Sequence, residues 1–441
     1  MKRIINTLLI LGGFLSLGSC SNESDNNEII YLTDAQISSF KLEKNDSVSS
    51  NLDEVFFSID QAKGEIFNID SLPYKTKLQK MLANVTFQSA SSAKVIAGKD
   101  TTEYTPTDSI DFTSGEIKMI VTAQDYKTTK EYRIKINVHQ QLPDSMVWHH
   151  LANDIYNTPI LNQKTINVDG TLYSFAKTST GISLYTAALT NASTWNKKAE
   201  TNLPGNTNIE SIYIVDNKFV CISNDGHLYL SINGVTWNQT ENKLANILGV
   251  LPNKSNIDNL IGYKIIDNQI KIIYSADLQD WKTADNSYAV TKFPVEGYAT
   301  CNSIINSTNY LSIIGGVNNA ASKLNTIFLA SFNTNNELDF SSNLTFNGIA
   351  SITNASCAYY NSQIYLFGGD FKDEQNQNIY TSLNGGINWA KTDSLVSIPK
   401  EFGNRTDISV IADSQKLWLI GGFQNNTAKT DVWTAKINNI K

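Results

Sequence analysis

The chain has 441 residues and a formal net charge of −7, and only 17% of its residues are charged. That length allows two or three domains, and the charge disfavours nucleic acid or an anionic membrane surface as a partner. Asn, Ser, Thr, Tyr and Ile are abundant and Arg is scarce. This composition is typical of strands joined by polar turns.

Residues 1–19 have the pattern of a lipoprotein signal peptide. A charged start precedes an apolar stretch, Ile4 to Leu17, that is too short to be a stable membrane span. The segment LGSC that ends at Cys20 resembles a bacterial lipobox, which implies cleavage before Cys20 and lipidation of its thiol. The polar, acidic residues 20–29 predict a disordered tether. They are similar to the export tag of Bacteroidetes lipoproteins, which implies an outer-membrane lipoprotein exposed at the cell surface.

Three further cysteines lie in the body of the chain, at Cys221, Cys301 and Cys357. Their number is odd, their spacing is wide, and no pair has the spacing of a zinc site. Each lies in or beside an apolar run, so the pattern predicts buried free thiols.

Residues 30–140 read as short strands separated by turns, which predicts a β-sandwich. The last strand alternates between two faces, and its apolar face carries Tyr132, Ile134, Ile136 and Val138. This strand, KEYRIKINVH, resembles the final strand of Ig-like modules, which implies an Ig-like domain used as a spacer. Pro73 to Met81 could form one helical turn. Gln140 to Asp144 is the predicted hinge.

Residues 145–441 contain a repeated pattern. An apolar strand ends in a Gly-Gly doublet at Gly315-Gly316, Gly368-Gly369 and Gly421-Gly422. A tight turn leads to a tryptophan in three segments, Ser231–Trp237, Ser275–Trp281 and Ser382–Trp389. Units of about 40–55 residues match four-stranded propeller blades. We count six units and therefore predict a six-bladed β-propeller. Seven blades are the alternative, because the pattern is weak in the first and third units.

The last unit lacks an outer strand. The segment 145–152 stands alone before the first unit, and the sequence that follows its Trp148 resembles the sequence after Trp195 and Trp237. We expect this segment to supply the missing strand, because closing the ring pairs the backbone groups of an open sheet edge. The repeated tryptophans are predicted to pack between blades.

These motifs resemble two known repeats. The strands that end in Gly-Gly look like the kelch repeat, and the turn from Ser382 to Trp389 looks like the Asp-box, with Asn384 in place of the Asp. The whole arrangement, with KNDS at residues 44–47 and SLPY at 71–74, is similar to a family of uncharacterised Bacteroidetes exported lipoproteins. The resemblance implies an all-β chain with an Ig-like domain followed by a kelch-like propeller, and it implies no activity.

Two enzymatic interpretations do not fit the residues of this chain. Asp-box sialidases grip a substrate carboxylate with three arginines, because planar bidentate donors match a carboxylate, and residues 145–441 contain Arg405 alone. A kelch-type copper oxidase needs two histidines at one metal. His149 and His150 are adjacent on one strand and would face opposite ways. We find no catalytic constellation and predict no cofactor, with calcium as the alternative considered below.

Candidate ligand-binding residues lie in the loops that follow the Gly-Gly doublets. Asp370, Asp373 and Glu374 could form an oxygen site for calcium, contact a glycan, or lie in a solvated loop. Exposed aromatic rings beside amides suit sugars, whose ring faces stack and whose hydroxyls bond to amides. The other candidates on this face are Phe371, Phe423, Gln424, Asn318, Arg405, Asn319, Asn425, Asp225, His227 and Tyr298.

The sequence therefore favours a cell-surface binding module whose propeller face recognises an extracellular glycan or protein. A glycan-active enzyme, a hydrolase or lyase that uses loop carboxylates, is the first alternative. A structural or assembly partner of a surface complex is the second. The fold alone does not decide among them, because propeller function depends on the loops.

Overall fold

The structure is a computed structural model that describes residues 30–49, 51–341, 344–371 and 378–438. The predicted signal peptide, the tether and Cys20 lie outside these ranges. The described chain is all β apart from two short 3₁₀ helices, Leu52–Glu54 and Phe112–Ser114. None of its helices is long and apolar enough to cross a membrane. The chain divides into two compact units between Gln141 and Leu142.

The first unit contains eight described strands. They are β1 (Ile37–Leu42), β2 (Phe57–Asp60), β3 (Glu65–Asn68), β4 (Ala83–Phe87), β5 (Ala90–Ala97), β6 (Asp100–Glu103), β7 (Ile117–Ala123) and β8 (Thr129–Lys135).

These strands form a two-stranded sheet, β1-β4, and a six-stranded sheet in the order β2-β3-β8-β7-β5-β6. Only the β3-β8 pair among them is parallel in the described chain. Burial alternates along β7, where Ile117, Met119 and Val121 are buried, as expected for a strand with one face on the core. The segment from Pro73 to Met81 forms turns and not the suggested helical turn, because Lys75 and Lys80 have left-handed φ values of 64° and 52° that interrupt a right-handed helix.

The second unit contains 27 described strands. They are β9 (Met146–Ala152), β10 (Asn162–Val168), β11 (Thr171–Lys177), β12 (Ile182–Ala188), β13 (Asn191–Glu200), β14 (Thr207–Val215), β15 (Lys218–Ser223), β16 (His227–Ser231), β17 (Asn238–Lys243), β18 (Asn246–Pro252), β19 (Asp258–Ile266), β20 (Gln269–Ser275), β21 (Lys282–Ala289), β22 (Ala299–Ile305), β23 (Thr308–Ile314), β24 (Thr326–Phe332), β25 (Leu338–Phe340), β26 (Leu344–Thr345), β27 (Thr353–Tyr360), β28 (Gln363–Asp370), β29 (Tyr380–Ser382), β30 (Ala390–Lys391), β31 (Ser409–Ala412), β32 (Leu417–Ile420), β33 (Phe423–Gln424), β34 (Thr427–Ala428) and β35 (Val432–Ile437).

Apart from the hairpin β33-β34, the strands described in this unit form six antiparallel sheets, numbered here in chain order. The orders are β10-β11-β12-β13, β14-β15-β16-β17, β18-β19-β20-β21, β22-β23-β24-β25 with β26 beside β24, β27-β28-β29-β30, and β31-β32-β35-β9. The first strand of each sheet is its inner strand. Contacts between inner strands run from β10 through β14, β18, β22, β27 and β31 back to β10. The six sheets therefore surround a common axis.

The sixth sheet joins the two ends of the unit. β9 is the first strand of the unit and β35 the last, and they pair antiparallel from Met146 opposite Ile437 to Ala152 opposite Val432. Trp148 lies opposite Ala435 in this ladder. Both strands therefore gain partners for backbone groups that would otherwise lie at open edges.

The contacts between neighbouring sheets are apolar. Central strands such as β28 are buried at almost every position, because a neighbouring sheet covers each of their faces. Trp389 is buried in one cluster with Ile314 and Ile327 of the fourth sheet and with Ile364 of the fifth. The tryptophan thus packs between two sheets and not at a solvent-facing loop.

Side chains bond the three turns that precede tryptophans. Ser382 Oγ accepts from Gly386 N–H at 2.9 Å, and Asn384 Oδ1 accepts from Asn388 N–H at 2.9 Å. Ser231 with Asn233, and Ser275 with Asp277, accept from backbone N–H groups in the same way. A short Ser-x-Asn or Ser-x-Asp sequence therefore satisfies the turn's donors without a partner from elsewhere in the chain.

The Gly-Gly doublets join neighbouring sheets. Gly368 and Gly369 have φ values of 61° and 86°, which favour glycine. Gly369 N–H donates to Arg405 O at 2.9 Å, just before the sixth sheet begins. A Cβ atom on Gly368 would lie 2.0 Å from the same oxygen. Glycine is therefore required here both by the backbone angle and by the close approach of the next sheet.

We expect Gly368→Ala to lower the free energy of unfolding by about 3 kcal/mol or more, because steric overlap adds to a left-handed penalty of about 1–2 kcal/mol. Gly170→Ala is the matched control, since Gly170 has φ +78° but nothing within 4 Å of an added Cβ. It should lose only about 1 kcal/mol. Denaturant melts of both variants measure the difference, and equal losses would contradict the close-approach argument.

Candidate functional site

Four of the predicted loop residues lie beside β28 and β33. Asp370 ends β28, and the ring of Phe371 contacts that of Tyr380 at 5.8 Å between centroids. Phe423 and Gln424 form β33, which pairs with β34. All four predicted residues are half-buried. Ligand binding by them stays a prediction.

Asp373 and Glu374, which were predicted beside Asp370, lie outside the described residues. Within the described ranges, no group of three or more His, Cys, Asp or Glu residues could hold a metal ion.

Asn318 uses its amide within its own part of the fold. Its Oδ1 accepts from Ala320 N–H and Ser322 N–H, each at 3.0 Å, and its Nδ2 donates to Thr291 O at 2.7 Å. The residue is 8% exposed. These bonds tie the loop after β23 to the segment that precedes β22.

Arg405 is bonded on several sides. Nη1 and Nη2 bond the two carboxylate oxygens of Asp431 at 2.6 and 2.8 Å, and further N–H groups donate to the backbone oxygens of Phe402 and Gly421. Arg405 is 2% exposed. Burial acts to raise the pKa of Asp431, but the bonds from Arg405 outweigh it and lower that pKa. In this arrangement the guanidinium holds the sixth sheet together.

A cavity of about 770 Å³ lies on the axis of the second unit. It lies where the inner strands begin. Amides, hydroxyls and charged groups dominate its wall, and they include Asn162, Lys164, Thr165, Asn208, Glu210, Ser211, Asn246, Glu296, Thr300, Asn354 and Asp407. The cavity therefore presents hydrogen-bonding groups from all six sheets toward one volume.

Unusual backbone conformations hold part of this wall. Gly297, Asn354 and Asp407 have φ values of 65°, 54° and 54°. Asn354 N–H donates to Gly297 O at 2.7 Å, and Asp407 N–H donates to Asn354 O at 2.9 Å. Gln163 Nε2 continues the chain to Asp407 O at 3.3 Å. Four sheets are linked in series around the cavity. Asn and Asp tolerate this left-handed backbone better than most residues.

Charges of both signs lie on the wall. Asn162 Nδ2 donates to Glu210 Oε1 at 2.9 Å, which fixes one carboxylate oxygen of an otherwise exposed side chain. Lys164 Nζ lies 5.6 Å from the ring centroid of Tyr213, within cation–π range. Lys177 Nζ donates to Thr207 O at 3.2 Å.

The carboxyl group of Asp407, which lies on this wall, has a raised pKa. Burial, followed by the charge of Glu210 and then that of Asp370, raises the pKa of Asp407 to about 7, although a bond from Thr406 and the charge of Lys164 act in the opposite direction. The carboxyl group is therefore protonated in a large fraction of molecules near neutral pH. It can then donate one hydrogen bond as well as accept others.

A tyrosine side chain crosses the axis below this cavity. Tyr213 OH and Thr300 Oγ1 lie 3.2 Å apart and join β14 to β22. A second cavity of about 520 Å³ lies beyond them, with Leu251, Pro252 and Ile304 in its wall. Tyr213, Thr300, Cys357 and Val410 line both cavities. The axis is thus divided into an upper polar cavity and a lower, more apolar one.

Sequence reasoning pointed to the loops and missed most of this wall. Among the loop candidates, Tyr298 does line the upper cavity, where its hydroxyl group donates to Ile247 O at 3.1 Å. The overlooked signal lay in the inner strands. Lys164 and Glu210 alternate with buried residues in a chain with few charges, and such a pattern marks a polar face.

Residues 142–441 match the family model of the DUF6242 β-propeller domain, and residues 31–136 match that of the DUF6242 N-terminal domain. The chain belongs to the DUF6242 family. Its second unit is therefore a β-propeller domain.

No curated protein matches this DUF6242 chain. Among solved structures, one described as "Structure of YjhT" is 13% identical, covers 64% of this chain and 96% of its own, and has a TM-score of 0.46.

We expect the stability of the DUF6242 chain to fall with rising pH in part because of Asp407. Unfolded Asp titrates near about pH 3.9, whereas the pKa of folded Asp407 is about 7. Between these two pKa values the folded state holds one more proton than the unfolded state. The free energy of unfolding therefore falls as pH rises through this range, and it no longer depends on this group above both values.

Asp407→Asn should flatten this part of the profile, because Asn keeps the shape and tolerates the backbone angle but does not titrate. The measurement is the difference in Tm between pH 5 and pH 8 for wild type and variant. Asp339→Asn, at an exposed position of β25, controls for a general change in charge. An Asp407→Asn profile parallel to that of wild type would refute the assignment.

Proposed function

We propose that this DUF6242 protein is a cell-surface lipoprotein whose propeller binds an extracellular glycan in the upper cavity. The observation that carries the proposal is the cavity itself, about 770 Å³ with amides and hydroxyls from six strands and Tyr213 at its lower end. Pockets of this size enclose small ligands. A sugar ring stacks on an aromatic face, and its hydroxyls both donate and accept.

The charge distribution supports an uncharged or weakly charged ligand. The positive charges of Lys164 and Lys177 are balanced by the carboxylates of Glu210 and Glu296 on the same wall. A polyanion would require a clear excess of basic groups, and the whole chain carries a net charge of −7. Neutral sugars match a wall that offers donors and acceptors in similar measure. A short loop of a partner protein is the other ligand class that the cavity would admit.

The finer features of the fold belong to the same proposal. We infer six kelch-like blades, because the unit contains six sheets in the described residues and three of its strands end in Gly-Gly. The bonded Ser-x-Asn and Ser-x-Asp turns support the Asp-box likeness. The two sheets of the first unit support an Ig-like spacer. Calcium binding by the loop after Asp370 stays a prediction, and the ligand experiments include calcium to test it.

A glycan-active enzyme is the second candidate, and one observation favours it. Asp407 and Glu210 line one cavity, and the pKa of Asp407 is raised to about 7. Glycoside hydrolysis uses two carboxyl groups, of which one donates a proton to the leaving oxygen and the other acts as base or nucleophile. Here Asp407 would be the acid and Glu210 its partner. Binding followed by product release, with loss of turnover in Asp407→Asn, would favour the enzyme.

The binding test is a glycan array on the mature chain, followed by calorimetry with the glycan that binds. Glu210→Ala should weaken binding at least tenfold, because it removes a cavity acceptor that Asn162 holds in place. Glu337→Ala is the matched control at an exposed turn between β24 and β25 and should change the Kd by less than twofold.

If Glu210→Ala and wild type bind equally, the upper cavity is not the site. Phe423→Ala then tests the predicted loop residues. If no glycan binds and a neighbouring protein co-purifies with the chain, the assembly role is favoured instead.

Attachment to the membrane is tested separately. We expect Cys20→Ser to move the protein from the membrane fraction to the soluble fraction, because the proposed lipid anchor depends on this single thiol. Fractionation with metabolic labelling by a fatty acid measures the change. Unchanged lipidation in the variant would refute the lipobox assignment.

A further inference from the structure

Two of the three cysteines in the body of the chain lie close together on the wall of the lower cavity. Cys301 is on β22 and Cys357 is on β27, which are neighbouring inner strands. Both line the lower cavity, and both belong to the apolar cluster between the fourth and fifth sheets. The Cys357 thiol is close enough to Cys301 to raise the pKa of that thiol. Because 56 positions separate the two cysteines in the sequence, the sequence does not predict that they lie close together.

The two thiols differ in their access to solvent. Cys301 is 5% exposed, and its Sγ also contacts Asn302 O at 3.4 Å. Cys357 is half-buried and lines both the upper and the lower cavity. The hydrogen bond with Cys357, together with burial, raises the pKa of Cys301 well above its usual range. Cys357 is therefore the more accessible of the two thiols to a solute in either cavity.

We propose that Cys301 and Cys357 form a reversible disulfide that links the inner strands of the fourth and fifth sheets. A disulfide requires two Cα atoms roughly 4.4–6.8 Å apart, and two inner strands side by side around a narrow axis can provide that separation. Extracellular compartments allow such bonds to persist. The bond would lie at the lower cavity, and it does not depend on the ligand proposed for the upper one.

The oxidant would be a small disulfide of the glutathione class, and its reaction is a thiol–disulfide exchange in two steps. The Cys357 thiolate attacks one sulfur of the small disulfide, forms a mixed disulfide and releases the first small thiolate. The Cys301 thiol then loses its proton to solvent, and its sulfur attacks Cys357 Sγ. This step forms the Cys301–Cys357 bond and releases the second small thiolate. Two protein thiols are oxidised and one small disulfide is reduced to two thiols.

Cys221 provides an internal control. It is fully buried on β15, and burial raises its pKa far above the usual range. It belongs to a different apolar cluster from Cys301 and Cys357. Modification of Cys221 by a reagent would therefore indicate that the propeller has unfolded, and not that the reagent entered the native cavities.

The test incubates the folded mature chain with oxidised glutathione and maps its peptides by mass spectrometry without reduction. We expect one linked pair that contains Cys301 and Cys357, with Cys221 still a free thiol. Cys301→Ala should trap glutathione on Cys357, because no second thiol can displace it. Cys357→Ala should leave Cys301 unmodified. The linked wild type should melt about 5 °C or more above its reduced form, since the cross-link restricts the unfolded chain.

Several results would overturn the proposal. Wild type that carries glutathione on Cys357 without a linked pair shows that the two sulfurs cannot meet. Wild type with no modification shows that Cys357 is inaccessible. A linked pair that involves Cys221 shows that the protein had unfolded. Cys221→Ala, which keeps both proposed partners, should link as wild type does, and a failure to link would likewise contradict the proposal.

Discussion

The pairing of β9 with β35 is the constraint on which the rest of the propeller depends. These two strands begin and end the second unit, and their ladder from Met146–Ile437 to Ala152–Val432 closes a ring that six sheets share. An open ring would leave the edge of β35 unpaired and one apolar sheet face exposed. Closure instead covers both faces of central strands such as β28, and it makes six inner strands begin around one axis.

That convergence explains why a chain with few charged residues has a polar cavity at its centre. Each inner strand contributes a few side chains, such as Lys164 from β10 and Glu210 from β14. None of these residues would suggest a site by itself. Their proximity results from ring closure, and so does the effect of Glu210 on the titration of Asp407 from another sheet. The predicted loop residues contribute less, since Asn318 and Arg405 are bonded within the fold.

The features that sequence could predict are local. A Gly-Gly doublet marks where a strand ends, and Ser382 and Asn384 bond the backbone N–H groups of a turn within seven residues of sequence. The strands and the repeats could therefore be predicted from the sequence. Arg405 was expected on the ligand-binding face, yet its role depends on Asp431, which is 26 residues away and part of no motif. The proximity of Cys301 and Cys357 likewise depends on how two sheets meet. Such long-range contacts follow from closure of the ring and not from any pattern within one repeat.

The left-handed residues around the upper cavity connect the architecture to the proposed function. A non-glycine residue at positive φ is costly, and such strain persists only where surrounding bonds hold it. Asn354 and Asp407 lie near the start of two inner strands, and each N–H is bonded toward the preceding sheet. Gly297, the preceding member of this series, carries no side chain, and a Cβ there would lie 2.7 Å from Asn354 Oδ1. The absence of a side chain at Gly297 thus makes room for the amide of Asn354. Glycine would adopt this backbone conformation at all three positions if the segment had only a structural role. The polar side chains of Asn354 and Asp407 therefore favour a binding role for this wall.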